Sequence, residues 1–284
     1  MAGGEPGRRL PIEVCIGTIR AEPAWWLDAA RRLDAAGYAG IWAWDHYMGR
    51  GDRNVPVVEG WTILAAAAGA IRRARLGTFV ANVMNHHPAV VARMASTLHL
   101  ASAERFVLGI GVGGHPAEHR ALGLPFPAVA ERVARLEEAV AVIRALWTGG
   151  PVTRSSPFYP LEEAWSLPVP EIPPRIVVGG GSPAGTRLAA RIGDGWTAFA
   201  DVFEMRLPLY LETLEAEGRR RADQLVLLGI EGETVAETSA ALVPWIAGLR
   251  EQWERWLAAG ADGVVLTVRS EDDVRGLLDA AGRW

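Results

Sequence analysis

Arg75-Leu76-Gly77-Thr78-Phe79-Val80-Ala81-Asn82 is an apolar strand pattern that runs out into a polar residue. A helical segment entered at His87-Pro88-Ala89-Val90 follows, and then a second strand, Phe106-Val107-Leu108-Gly109-Ile110-Gly111. Strand, helix, strand is the repeating unit of a parallel α/β sheet. Working outward, the same alternation fills the chain. Strands are expected at Ile12–Thr18, Gly40–Asp45, Arg75–Ala81, Phe106–Gly111, Arg175–Gly179, Gly195–Phe199, Leu225–Ile230 and Gly263–Val268. Helices are expected at Pro23–Ala36, Gly60–Arg73, Ala89–Ala101, Ala128–Trp147, Ala184–Arg191, Phe203–Arg221, Val235–Ala259 and Glu271–Ala281. Runs such as Ile176-Val177-Val178 and Val264-Val265-Leu266 do not alternate with polar residues, as expected of strands buried on both faces. Eight such units in 284 residues point to one (β/α)8 TIM barrel over 11–284, preceded by a flexible terminus at 1–10.

Composition narrows the function. Half of the residues are hydrophobic and the net charge is -4, which suits a globular protein and argues against nucleic acid as the partner. All 29 basic residues are Arg, so no lysine chemistry is available. Cys15 is the single cysteine and lies in a strand pattern, where a buried, inert thiol is expected. No apolar run approaches about 18 residues, so neither a membrane span nor a secretory signal is expected; a cytoplasmic location follows. Two long stretches interrupt the rhythm, Met48–Val57 and Gly149–Pro174. Both are expected to be loops over the C-terminal mouth of the barrel, the second with a small hairpin.

The strand ends carry the polar residues. Asp45-His46 closes the second strand, at the rim where barrels hold ligands, although Asp45 there also suits a turn cap. Gly109-Ile110-Gly111-Val112-Gly113-Gly114 matches a dinucleotide fingerprint formally, but Pro116 and a loop-like stretch follow instead of a helix. Close backbone approach to a flat ligand explains it better. Gly179-Gly180-Gly181-Ser182 between a strand and a helix suits either a phosphate site or a serine-capped turn. His115-Pro116-Ala117-Glu118-His119 has Pro116 where a zinc protease motif has Glu, and no metal site is expected. Trp44 and Trp196 fall on strands and are candidates to wall a ring pocket; the helical tryptophans pack in the core or on a partner face.

Together these blocks resemble the luciferase-like monooxygenase superfamily, and its coenzyme F-420 (deazaflavin) branch in particular. The likeness is carried by Trp42-Ala43-Trp44-Asp45-His46, by Arg75-Leu76-Gly77-Thr78 through His87-Pro88-Ala89-Val90, and by Glu104 through Gly111. Pro173 through Gly181 and Ala189 through Trp196 agree with it. The resemblance implies a (β/α)8 barrel and a deazaflavin-dependent oxidoreductase moving a hydride to or from a small substrate. It implies His46 and Asp45 as catalytic residues, with His46 the acid/base and Asp45 its orienting partner beside the ring. Phe79-Val80 matches a non-prolyl cis peptide behind the ring, and Val112 and Gly113 match residues beside the ring or its ribityl chain; Asn82, where its strand ends, suits either a hydrogen bond to a ligand ring or a plain strand-to-loop passage. Gly179, Gly180, Gly181 and Ser182 match the phosphate-binding turn. An FMN-dependent monooxygenase and a non-catalytic flavin- or deazaflavin-binding protein are the alternatives. Members are commonly homodimers. The family often has Arg where this chain has His86.

Overall fold

A computed structural model describes residues 9–231 and 239–284. Most of the terminus expected at 1–10, and the start of the helix expected from Val235, lie outside them. The strands are β1 (Leu10–Ile16), β2 (Tyr38–Ala43), β3 (Arg75–Thr78), β4 (Ala81–Asn82), β5 (Phe106–Gly111), β6 (Val152–Arg154), β7 (Leu161–Ala164), β8 (Ile176–Gly179), β9 (Gly195–Phe199), β10 (Leu225–Ile230) and β11 (Gly263–Val268). The helices are α1 (Pro23–Ala35), α2 (Gly60–Ala68), α3 (Pro88–Ala101), α4 (Pro116–Leu122), α5 (Val129–Leu146), α6 (Pro183–Ile192), α7 (Ala200–Ala216), α8 (Val243–Ala247), α9 (Leu249–Ala258) and α10 (Glu271–Ala281).

The main sheet is parallel and closed. Its order is β3-β2-β1-β11-β10-β9-β8-β5-β4, and β3 also pairs with β5. Leu76 and Gly77 of β3 face Phe106 and Val107, while Ala81 and Asn82 of β4 face Ile110 and Gly111. β3 and β4 are therefore two halves of one barrel position. The cis peptide Phe79–Val80 lies between them. Eight positions result, with helices around them: the (β/α)8 barrel expected from the alternation.

Two apolar cores follow from strand alternation. Side chains pointing outward, such as Ile41, Leu108 and Leu266, pack under the helices. Those pointing inward, including Cys15, Trp42, Trp44, Phe79, Val107 and Val265, fill the barrel. Trp42 and Trp44 therefore sit inside and Trp196 outside, where it stacks on Phe203 and Tyr210 at 5.2 and 5.1 Å. Trp196 does not wall a pocket. Cys15 is fully buried, and burial pushes its thiol well above the usual range. Trp26, Trp245, Trp253 and Trp256 are buried within this chain, so they offer no partner face.

Several sequence expectations shift. α2 stops at Ala68 because the buried Asp34 accepts from the backbone N–H groups of Arg72, Arg73 and Ala74 at 3.0, 3.0 and 2.6 Å, which turns the chain into β3. Gly248, with φ -145, separates α8 from α9 where one helix was expected. The stretch after Gly114 contains α4, started by Pro116 at its first position. The hairpin β6–β7 forms within Gly149–Pro174, but it does not cover the mouth. Arg93 on α3 holds the carbonyls of Trp165 and Leu167 at 2.7 and 3.2 Å, and Tyr159 N–H donates to Glu138 on α5 at 2.9 Å. The insertion is thus fastened to the outside of the helical layer. No helix among the described residues is long and apolar enough to cross a membrane.

Candidate active site

A cavity of about 570 Å³ opens at the C-terminal mouth of the barrel. Asp45 and His46 follow β2, Phe79, Val80 and Asn82 come from the β3–β4 junction, and Val112 and Gly113 follow β5. Gly179, Gly180, Gly181 and Ser182 lead from β8 into α6. Each of these residues lines the cavity. Val133, Leu136, Val178, Leu188 and Phe199 add apolar wall. No residue of the Gly149–Pro174 insertion is among the lining residues.

One side of the cavity is built from side chains. His46 Nδ1 lies 3.1 Å from Glu118 Oε2, and His115 Nδ1 lies 3.1 Å from the same oxygen. Glu118 Oε1 accepts from the Tyr47 backbone N–H. Glu118 is 3% exposed. Burial alone would raise its carboxyl, but the hydrogen bonds from His46, the Tyr47 amide and His115 outweigh burial and hold it down at about 2. An ionised carboxylate facing Nδ1 keeps the proton there. His46 Nε2 is then the unprotonated ring nitrogen, and it accepts from Arg50 Nη2 at 3.3 Å. His46 is thus oriented by Glu118 and not by Asp45. The Asp45 carboxylate points elsewhere: Oδ2 accepts from Asn82 N–H at 2.8 Å and from Asn85 Nδ2 at 3.1 Å.

Asn82 is occupied by structure. Its Nδ2 donates to His119 Nε2 at 2.8 Å and to Asn85 at 3.1 Å, and its Oδ1 accepts from Met84 N–H at 3.0 Å. The buried His119 donates Nδ1–H to the Pro125 carbonyl at 3.0 Å, and burial lowers its basicity. Gly113 has φ 73, and a Cβ there would come within 2.4 Å of Asn82 Oδ1. Only glycine lets this strand end pass over the network.

The other side is built from backbone. Ser182 caps α6, its hydroxyl accepting from Gly185 N–H at 3.1 Å. Gly180 N–H donates to the Thr197 carbonyl at 3.1 Å, and the Gly180 carbonyl accepts from Trp196 Nε1 at 2.8 Å. A Cβ on Gly180 would lie 2.7 Å from the backbone of Gly185, so the turn requires glycine. A helix start presents N–H groups without intrahelical partners and favours an anion. The cradle fits a flat, phosphate-bearing ligand. Val80, seated against Gly111 and Gly179, provides an apolar shelf between the two sides.

The residues that the resemblance points to line this one mouth, and a family model matches the chain. The model described as luciferase-like monooxygenase matches residues 16–277. The chain belongs to the luciferase-like monooxygenase family. Within curated relatives of this luciferase-like barrel, an F420-dependent glucose-6-phosphate dehydrogenase of Beutenbergia cavernae is 37% identical over 185 residues. That match covers 64% of this chain and 52% of the relative, so the chain spans about half of that protein's length. A protein of the same name from Nakamurella multipartita is 32% identical over 249 residues, covering 85% of this chain and 70% of the relative. Among solved structures, an F420-dependent secondary alcohol dehydrogenase in complex with an F420-acetone adduct superposes with a TM-score of 0.84. It is 21% identical and the match covers 96% of this chain and 97% of the other, a likeness of fold.

Sequence reasoning brought the right strand ends together but missed Glu118, His115 and His119 as wall and support of the luciferase-like site. The signal was present. Reading Pro116 as the first residue of a helix places His115 and Glu118 one turn apart, on the same side.

Proposed function

We propose that this barrel is a coenzyme F-420-dependent oxidoreductase that moves a hydride to or from a small organic substrate. The observation that carries the reading is the division of one cavity. His46 and its ionised partner Glu118 face, across an apolar shelf, a glycine turn at the start of α6. The F420-dependent names of the curated relatives support the same reading.

Gly179, Gly180, Gly181, Ser182 and the first turn of α6 would hold the cofactor's phosphate. Phe79 and Val80 would support the ring from behind, and Asp45, Asn82, Val112 and Gly113 would border it. When bound, the deazaflavin supplies the hydride acceptor or donor. The chain's own contribution is a proton at one atom. Glu118 fixes the Nδ1–H tautomer of His46, so Nε2 carries the lone pair that would take the proton of a substrate hydroxyl displacing Arg50 from it. The carboxylate opposite Nδ1 stabilises the imidazolium that results, and the reverse step returns the proton to a carbonyl oxygen. Arg50, next to Nε2, adds positive charge where an alkoxide would develop. A homodimer and a cytoplasmic location complete the proposal.

Titrating the purified chain with coenzyme F-420 and with FMN, followed by ring fluorescence, tests it. Tight binding of F-420 alone is expected. Tighter binding of FMN, with oxygen consumed on reduction, would make the barrel a monooxygenase instead. Binding of either ring without turnover would leave a cofactor-binding protein, and turnover unaffected by loss of His46 would remove that residue from the mechanism. Binding of neither overturns the proposal. Sedimentation equilibrium tests the dimer.

A further inference from the structure

A second cluster lies beneath the His46 wall, and the proposed chemistry does not use it as a unit. Asp45 follows β2, Glu59 precedes α2, and His86 lies in the turn before α3. One carboxylate oxygen of Asp45, one of Glu59 and one ring nitrogen of His86 lie within 4.8 Å of one another. The three residues are far apart in sequence, so no ligand spacing reveals them.

We propose that Asp45, Glu59 and His86 bind one divalent transition-metal ion that ties these three segments together. Asp45 is 3% exposed and spends only Oδ2 on hydrogen bonds; its buried Oδ1 has no hydrogen-bond partner among the described residues. A carboxylate oxygen buried without a partner is costly, and a second carboxylate beside it increases the cost. Glu59 is fixed in place by capping α2, accepting from Trp61 and Thr62 N–H at 2.9 and 2.7 Å. His86 is fixed by Tyr47, whose hydroxyl lies 2.9 Å from Nε2, and by the edge of the Trp61 ring. One member of the cluster thus carries a buried acceptor that nothing among the described residues pairs, and a cation answers it.

The donor set selects the ion. One imidazole and two carboxylates suit zinc and its neighbours, whereas magnesium and calcium prefer oxygen alone. The cluster of His46, His115 and Glu118 has a similar inventory, but its facing atoms already satisfy one another. This inference is independent of which ring the mouth binds.

Isothermal titration of the chelator-stripped full chain with zinc chloride and with magnesium chloride tests it, alongside metal analysis after dialysis. One zinc per chain is expected, with a higher melting temperature and no magnesium binding. His86→Ala and Glu59→Gln should each lower zinc affinity at least about 100-fold, the upper range seen for outer-shell partners. Glu59→Gln keeps a capping oxygen, so it remains informative if His86→Ala folds poorly. His115→Ala should bind zinc as the parent does. Absence of zinc binding overturns the assignment. Binding that survives both His86→Ala and Glu59→Gln, or that is lost only in His115→Ala, overturns it equally.

Discussion

Two buried carboxylates mark the two ends of this barrel, and they behave oppositely. Glu13 sits inside the N-terminal end at 1% exposure, accepting from Trp42 Nε1 at 2.6 Å, with Arg75 no nearer than 3.6 Å. Glu118 sits at the mouth at 3% exposure with three donors. Burial wins at Glu13 and raises its carboxyl despite Arg75 and Trp42. At Glu118 the donors win, and the carboxyl falls to about 2. Both depth and donors separate them: Glu13 is enclosed more deeply and meets one N–H donor, whereas Glu118 lies at the mouth and meets three. The floor spends its acid on holding Trp42 in the barrel. The mouth holds its acid charged beside a histidine.

The largest expected effect tests whether that histidine and its charged partner are chemical. His46→Ala should lower turnover by about 10²–10⁴-fold while F-420 affinity, read by fluorescence, stays near that of the parent. Turnover equal to the parent's would put the mouth on the same footing as the floor. Next in size, Gly180→Ala should weaken F-420 binding by about 1–3 kcal/mol, roughly 5- to 150-fold, because its Cβ meets the Gly185 backbone. Unchanged affinity there would remove the glycine turn from the site.

Acid denaturation sharpens the comparison of the acids themselves. The Glu118 carboxyl is depressed, so its contribution is present above about pH 4.5 and is lost as pH falls toward 2. That loss amounts to about 3 kcal/mol, and Glu118→Gln should remove it from urea-melt stabilities measured between pH 5 and pH 2.5. A parallel decline in parent and variant would mean that the donors do not hold Glu118 charged. The smallest effect is at the floor. The Glu13 carboxyl is raised, so its contribution is present below pH 4.5 and is lost as pH rises through its folded value. Glu13→Gln should flatten that gentle decline between pH 4.5 and neutrality and leave turnover unchanged. A drop in turnover would show that the floor reaches the chemistry.

Much of this was legible in the residues. Continuous apolar runs such as Ile176-Val177-Val178 announce strands covered on both faces, and eight of them with intervening helices leave a closed barrel as the economical solution. Asp45-His46 and Gly179 through Ser182 were legible because they end strands, and strand ends of a barrel converge on one mouth. Glu118 was not. It is brought to His46 by a short helix that begins at Pro116, and the partner lies 72 residues away. The insertion at Gly149–Pro174 was read as a lid because its length suits one. Its course was decided by Arg93, Glu138 and the surfaces of α3 and α5, which no local pattern records.

The sequence by itself determined the parallel barrel, its mouth and the family, because periodicity, strand-end chemistry and glycine placement are local properties that the chain carries wherever it folds. The tertiary structure alone decided which carboxylate orients His46, which face of β9 hides Trp196, and that Asp45, Glu59 and His86 converge. Those outcomes depend on the rotation of each strand within the closed sheet and on which loops meet above it. Such long-range geometry is set by packing the whole barrel, and no window of residues contains it.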